Sequence, residues 1–198
     1  MKKSQKIYLP FKRLIDIFGS IIGIIFCIAF LWWWVLPINL IVTKGHPFFA
    51  SERIGRNGVS FNCLKFRSMK LTANTKMTSL DSFDQSNVTG FGKFLRRTSI
   101  DETLQLFNIF IGQMSFIGPR PLIDISNDSI TINLRKTRGA ISLRPGLSGY
   151  AQIHKRGDLD SKTKAMYDEI YYKDISLWLD TKIFFYTLFK LLGIVKGR

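Results

Sequence analysis

Cysteine and histidine are nearly absent: the 198-residue chain has two of each. Cys27 falls inside a long apolar run, and Cys63 lies far away in a strand-like stretch. Two such positions make no disulfide framework. Neither has a second Cys or a His at zinc-ligand spacing, and His46 and His154 fall in loop-like contexts. That pattern argues against a zinc centre or a His-based triad and fits a reducing, cytoplasmic setting for the globular part. Acidic residues are scarce too: 14 Asp+Glu against 29 Lys+Arg leave a net charge of +15. An excess of this size faces something acidic, whether nucleic acid, an anionic bilayer or phosphorylated substrates. No internal repeat is visible.

Charge is missing altogether from Ile17 to Thr43, which reads IFGSIIGIIFCIAFLWWWVLPINLIVT. A run this long, apolar on every face, is a membrane helix rather than a soluble core helix. It exceeds a signal-peptide core, and no small-residue cleavage site closes it. Both flanks are basic, with Lys2, Lys3, Lys6, Lys12 and Arg13 before it and Lys44, Arg53 and Arg56 after it. Positive flanks mark the cytoplasmic side, so a re-entrant segment is favoured over a spanning one. Pro37 or the Gly19–Gly23 region could supply the break. Trp32, Trp33 and Trp34 point to an interfacial depth.

Beyond the run, residues 47–70 predict a β-hairpin turning at Arg56-Asn57-Gly58, because Asn-Gly tolerates positive φ. Residues 71–92, rich in Ser, Thr, Asn and Asp, read as a loop. A helix is expected from Ser99 to Gly112 and another over 126–142. A short strand is expected from Tyr150 to Ile153, and helix again over 161–192, whose apolar last part suits a membrane surface. Asp101-Glu102 opens the first of these helices. Ser99-x-x-Glu102 matches a capping box, and on spacing alone capping is the stronger reading. The neighbours shift the balance. Arg96 and Arg97 stand just before, and Arg120 and Arg144 follow in Pro/Gly turns, with Lys65 and Arg67 at a strand end. Guanidinium forks match phosphate oxygens, a carboxylate at a helix start can act as a nucleophile, and its neighbour can bind Mg2+.

The stretches Lys65-Phe66-Arg67-Ser68-Met69, Phe91 through Glu102, Gln105-Leu106-Phe107-Asn108, Met114 through Leu122 and Arg144 through Gln152 together resemble the bacterial sugar transferases. These are monotopic phosphoglycosyl transferases that begin capsule, O-antigen and glycoprotein glycan assembly. The resemblance runs from about Phe11 to about Thr187 and matches the minimal catalytic form. It implies a small, mostly helical α/β catalytic domain over residues 47–198, with a re-entrant membrane helix over 1–46 and interfacial amphipathic helices. It implies transfer of a sugar 1-phosphate from a UDP-sugar to undecaprenyl phosphate, with Mg2+, at the cytoplasmic face of the bacterial inner membrane. Asp101 would be the nucleophile and Glu102 its partner, both at the metal. Lys65, Arg67, Arg120 and Arg144 would hold phosphate, and Asp168 is a further acidic position, with Ser176 and Asp180 matching the last helix. The family usually breaks its membrane helix at a Ser-Pro pair, which would fall near Ala29-Phe30, and its Asn-Gly-Arg segment reads His154-Lys155-Arg156-Gly157 here. The expected partners are the two substrates and the lipid bilayer, with a homo-oligomer left open and no nucleic acid. The rival reading is a membrane-anchored basic nucleic-acid-binding or scaffold protein. The +15 charge fits it, but no nucleic-acid-binding motif appears, and the cations gather at Pro/Gly turns rather than along a helix.

Overall fold

The computed structural model describes residues 2–70, 87–123, 126–154 and 159–191. The loop expected over 71–92 falls mostly outside these residues, as do Lys155, Arg156 and Gly157; its last residues, from Gly90, are helical instead. The chain is mostly helical with small sheets. It folds as two units with interleaved segments: Met1–Gly19, Glu52–Phe61 and Asn108–Arg198 in the first, Ser20–Ser51 and Asn62–Phe107 in the second.

One helical run, Lys3–Thr43, opens the chain and is long and apolar enough to cross a membrane. It comprises α1 (Lys3–Cys27), a π-helical turn (Ile28–Trp32) and α2 (Trp33–Thr43). The irregularity lies neither at Pro37, inside α2, nor at the glycines. A side chain at Gly19 would press on the Phe116 ring, and one at Gly23 on Leu106, so these glycines admit neighbouring side chains to the helix surface. The Phe30 carbonyl, inside the π turn, accepts from the Trp34 indole N–H at 2.9 Å. Trp34 also packs on Phe91 and Phe94. Trp32 is buried between Phe66 and Phe107, with its indole N–H on Thr103 Oγ1 at 3.0 Å. Of the three tryptophans expected at an interfacial depth, two thus serve the second unit's packing, and Trp33, 67% exposed, is left for it.

The hairpin β1 (Phe48–Ile54) and β2 (Ser60–Phe66) turns where expected, because Asn57 and Gly58 both take positive φ. In the second unit, α3 (Gly90–Thr98) is capped by Thr89, whose side chain accepts the Gly92 N–H at 2.9 Å. Leu95 and Phe66 are buried, Phe66 beside Trp32.

In the first unit, β3 (Ser115–Ile117) pairs in parallel with β4 (Gly146–Ser148). Gln105–Phe110 forms α4, Ser126–Thr137 forms α5, Tyr150–His154 forms α6, Ser161–Asp174 forms α7 and Leu177–Leu191 forms α8. The strand expected from Tyr150 is therefore α6, and the strand itself ends at Ser148. Tyr150-Ala151-Gln152-Ile153 is too short to show a period that separates strand from helix. Ile117, Leu143, Tyr171, Ile175 and Ile183 make the core. Buried polar groups cross-brace it. Asp180 accepts from Tyr8 Oη (2.7 Å), Lys12 Nζ (2.5 Å) and Tyr171 Oη (2.6 Å), tying α1 to α7 and α8. Asp168 on α7 pairs with Arg135 on α5 at 2.6 Å. Each buried carboxylate is thereby satisfied, as burial of charge requires.

Candidate active site

The second unit builds a site from three short pieces. At the end of α3, Ser99 enters the left-handed region with φ 57° and turns the chain. A 3-10 turn, Ile100–Glu102, follows at once and carries Asp101 and Glu102. The expected capping box does not form. An N-cap residue needs extended backbone, and Ser99 is left-handed, so its hydroxyl makes no cap bond. The helix expected from Ser99 begins only at Gln105.

Lys65, near the end of β2, places its Nζ 2.6 Å from Glu102 Oε1. Arg96 on α3 donates from Nε to Ser68 Oγ at 2.8 Å, which holds the guanidinium near Asp101. Asp101 is buried, with 7% of its surface exposed. Burial, and next the Glu102 carboxylate, push its pKa from 3.8 to about 6, while Lys65 and Arg96 pull the other way. At neutral pH the carboxylate is then roughly nine-tenths ionised, yet poorly solvated. A desolvated anion between two cations is suited to attack an electrophilic phosphorus that brings its own negative charge.

The remaining sequence-derived positions have partners of their own. Arg67 donates to the carbonyls of His46 (2.9 Å) and Phe48 (3.3 Å) and lies over the Phe49 ring. Arg120, Arg144 and Asp168 belong to the first unit. Arg120 is exposed, and its carbonyl accepts from Arg135 Nη1 at 2.9 Å. Arg144 donates from Nε to the Gly112 carbonyl at 2.9 Å. Asp168 is held by Arg135 as described. Within the second unit, then, Asp101, Glu102 and Lys65 come together, joined by Arg96 and Ser68. Sequence reasoning used Arg96 only as charged company for Asp101. Its spacing five residues ahead, across a turn, was the available signal.

Among the described residues no group of three or more His, Cys, Asp and Glu gathers as a metal cage. Asp101 and Glu102 are nonetheless a fitting pair for Mg2+, which is commonly held by one or two carboxylates together with substrate phosphates. After burial, the Glu102 charge is the next cause of the raised Asp101 pKa, and that repulsion is what a divalent cation would relieve.

The profile of the family described as bacterial sugar transferase matches residues 7–193. The chain is 36% identical over 196 residues to the UDP-glucose:undecaprenyl-phosphate glucose-1-phosphate transferase of Klebsiella pneumoniae, covering 93% of this chain and 40% of that protein. It is 31% identical over 194 residues to the undecaprenyl-phosphate galactose phosphotransferase of Salmonella typhimurium, covering 89% and 39%. With the exopolysaccharide production protein ExoY of Sinorhizobium fredii it shares 32% over 192 residues, covering 89% and 83%. The chain thus spans about two-fifths of the first two relatives and most of the third.

Proposed function

The chain belongs to the bacterial sugar transferase family, and from that premise we propose that it moves a sugar 1-phosphate from a UDP-sugar onto undecaprenyl phosphate and releases UMP. This would be the first membrane step of capsule, O-antigen or glycoprotein glycan assembly. The observation that carries the reading is the buried Asp101 carboxylate beside Glu102, Lys65 and Arg96, in a chain whose relatives are named for such transfers.

In the first step an Asp101 oxygen attacks the phosphorus that bears the sugar. The new P–O bond forms as the bond to the bridging oxygen breaks, and UMP departs with that oxygen and the electron pair. The lipid phosphate then attacks the same phosphorus. The aspartyl P–O bond breaks, Asp101 recovers its electrons as a carboxylate, and a lipid diphosphate sugar leaves. Burial strips water from the nucleophile, and Lys65 and Arg96 hold it ionised despite that burial. Glu102 keeps the Lys65 ammonium directed at the site. Bound at Asp101 and Glu102, Mg2+ would supply charge neutralisation on the diphosphate.

The apolar helix is placed in the membrane with both ends on the cytoplasmic face. Ile22, Ile25, Phe26, Ile28, Phe30 and Trp33 stand more than half exposed, an arrangement that hydrocarbon rather than water accommodates. The π turn at Ile28–Trp32 includes Ala29-Phe30, where the family break would fall, and such turns are sites of sharp helix bending. The capped Phe30 carbonyl lowers the cost of irregular backbone at that depth. Trp178, Phe184, Phe185 and Phe189 on α8 would rest at the interface.

A panel of UDP-sugars incubated with undecaprenyl phosphate and Mg2+ tests the activity. Wild type should release UMP from one sugar or a narrow set of sugars, and Asp101→Asn from none. Near-normal UMP release by Asp101→Asn would overturn the assignment of the nucleophile.

A further inference from the structure

In the first unit, Arg13 and Arg56 lie close enough to Arg144 to act on its charge. Arg13 on α1 forks onto the carbonyls of Ile109 and Phe110, at 2.6 Å each. Arg144 donates from Nε to the carbonyl of Gly112. A side chain at Gly112 would stand 3.2 Å from Arg13 Nη2, so both guanidiniums flank this one residue. Arg56, at the hairpin turn, donates from Nε to the Ser142 carbonyl at 2.9 Å. Among the described residues no carboxylate lies within ion-pair distance of any of the three. Asp16, whose charge acts on both Arg13 and Arg144, accepts from the Ser115 hydroxyl and the Phe116 N–H, each at 3.0 Å.

Capping of the α4 end explains part of this. Carbonyls at a helix C-terminus attract cations, and Arg13 satisfies two of them. It leaves the rest open. A guanidinium has five N–H donors, and Arg144 and Arg56 each place one on a carbonyl. Burial, and then the neighbouring Arg56 and Arg13, press the Arg144 guanidinium below its usual pKa. Asp16 is the smallest of the influences on Arg144, so the cluster keeps a net positive charge that a further anion would offset.

The surroundings indicate which anion. Phe110 and Ile111, beside Gly112, are 43% and 61% exposed. Phe11 and Leu14, on either side of Arg13 in sequence, are about half exposed as well. A cationic cluster flanked by bare apolar side chains matches an amphiphile, with phosphate on the arginines and hydrocarbon on the apolar surface. We propose that Arg13, Arg144 and Arg56 form a site for the phosphate headgroup of a membrane lipid. The inference rests on the membrane seat argued above, and it stands whether or not Asp101 is the nucleophile. Two sources share the chemistry: the polyprenyl phosphate acceptor and the anionic phospholipids of the bilayer.

The test is equilibrium binding by the intact chain in neutral detergent, without a UDP-sugar. The probes are undecaprenyl phosphate, phosphatidylglycerol and inorganic phosphate. Each charge-assisted contact is worth roughly tenfold in affinity. Arg56→Gln, exposed and bonded to one carbonyl, should weaken lipid-phosphate binding by about tenfold without disturbing the fold. Arg13→Gln should weaken it at least as much, and Arg13→Lys, which keeps the charge, should recover part of the loss. A loss confined to undecaprenyl phosphate makes the site an acceptor site, and a loss for phosphatidylglycerol makes it a bilayer anchor. Either supports the proposal. Unchanged affinity for both lipids in well-folded Arg56→Gln and Arg13→Gln overturns it, as does a loss seen with inorganic phosphate alone. UMP release, measured separately, reports on the transferase reading independently.

Discussion

Replacing Asp101 with Asn should stabilise the protein while abolishing turnover. The unfolded chain titrates Asp101 near 3.8, and the folded chain near 6, chiefly because the carboxylate is buried beside Glu102. Below about pH 4 both states hold the proton, and the group contributes nothing. As pH rises from there to about 6, the unfolded state ionises first and the folded state loses ground. Above that the full deficit stands. At 1.36 kcal/mol per pKa unit it is about 3 kcal/mol, an upper figure because local relaxation lets water in. Asn is neutral at every pH and of nearly the same size, so the deficit disappears. For a chain of this length the gain corresponds to a Tm higher by roughly 5–10 °C near neutral pH, shrinking as pH falls toward 4. Thermal unfolding of both proteins in neutral detergent across that range is the assay. A lower Tm for Asp101→Asn near neutral pH, or a gap that does not change with pH, would refute the reasoning.

Lys65→Met and Glu102→Gln should move the acid limb of UMP release in opposite directions. Losing the cation raises the Asp101 pKa, and losing the neighbouring carboxylate lowers it; shifts of the same sign in the pH–rate profiles would contradict this. Asp168→Ala should destabilise the first unit by about 3–5 kcal/mol, because it strands the buried Arg135. An unchanged Tm with a raised KM for the UDP-sugar would instead make Asp168 a substrate contact. Single cysteines at Ser4 and Ser51, in a background lacking Cys27 and Cys63, should both resist a membrane-impermeant reagent in cells with a permeabilised outer membrane. Labelling of either one alone would mean that the helix spans.

How much of this was legible in the sequence varies with the physics involved. The hairpin was readable because Asn57-Gly58 needs positive φ at both positions. The apolar run was readable because nothing else in water tolerates it. The π turn was not, since Ile28–Trp32 contains neither Gly nor Pro, and the contacts of Trp32 with Phe66, Phe107 and Thr103 that accompany it are tertiary. Asp101 and Glu102 were singled out by motif, but the capping explanation depended on the backbone at Ser99, which no spacing rule reports. Nor could residue types tell which cations would gather. Lys65 reaches Glu102, Arg67 turns to backbone carbonyls, and Arg144 joins Arg13 and Arg56, three outcomes decided by tertiary packing.

The central claim is that Asp101 carries the sugar phosphate covalently between two substrates. Intact mass spectrometry after incubation with the cognate UDP-sugar and Mg2+, without lipid acceptor, tests it most directly. The account predicts a mass gain of one sugar phosphate, mapped to the peptide holding Asp101, lost on adding undecaprenyl phosphate and absent from Asp101→Asn. Turnover on complete substrates with no such adduct, and with sequential rather than ping-pong kinetics, would contradict it.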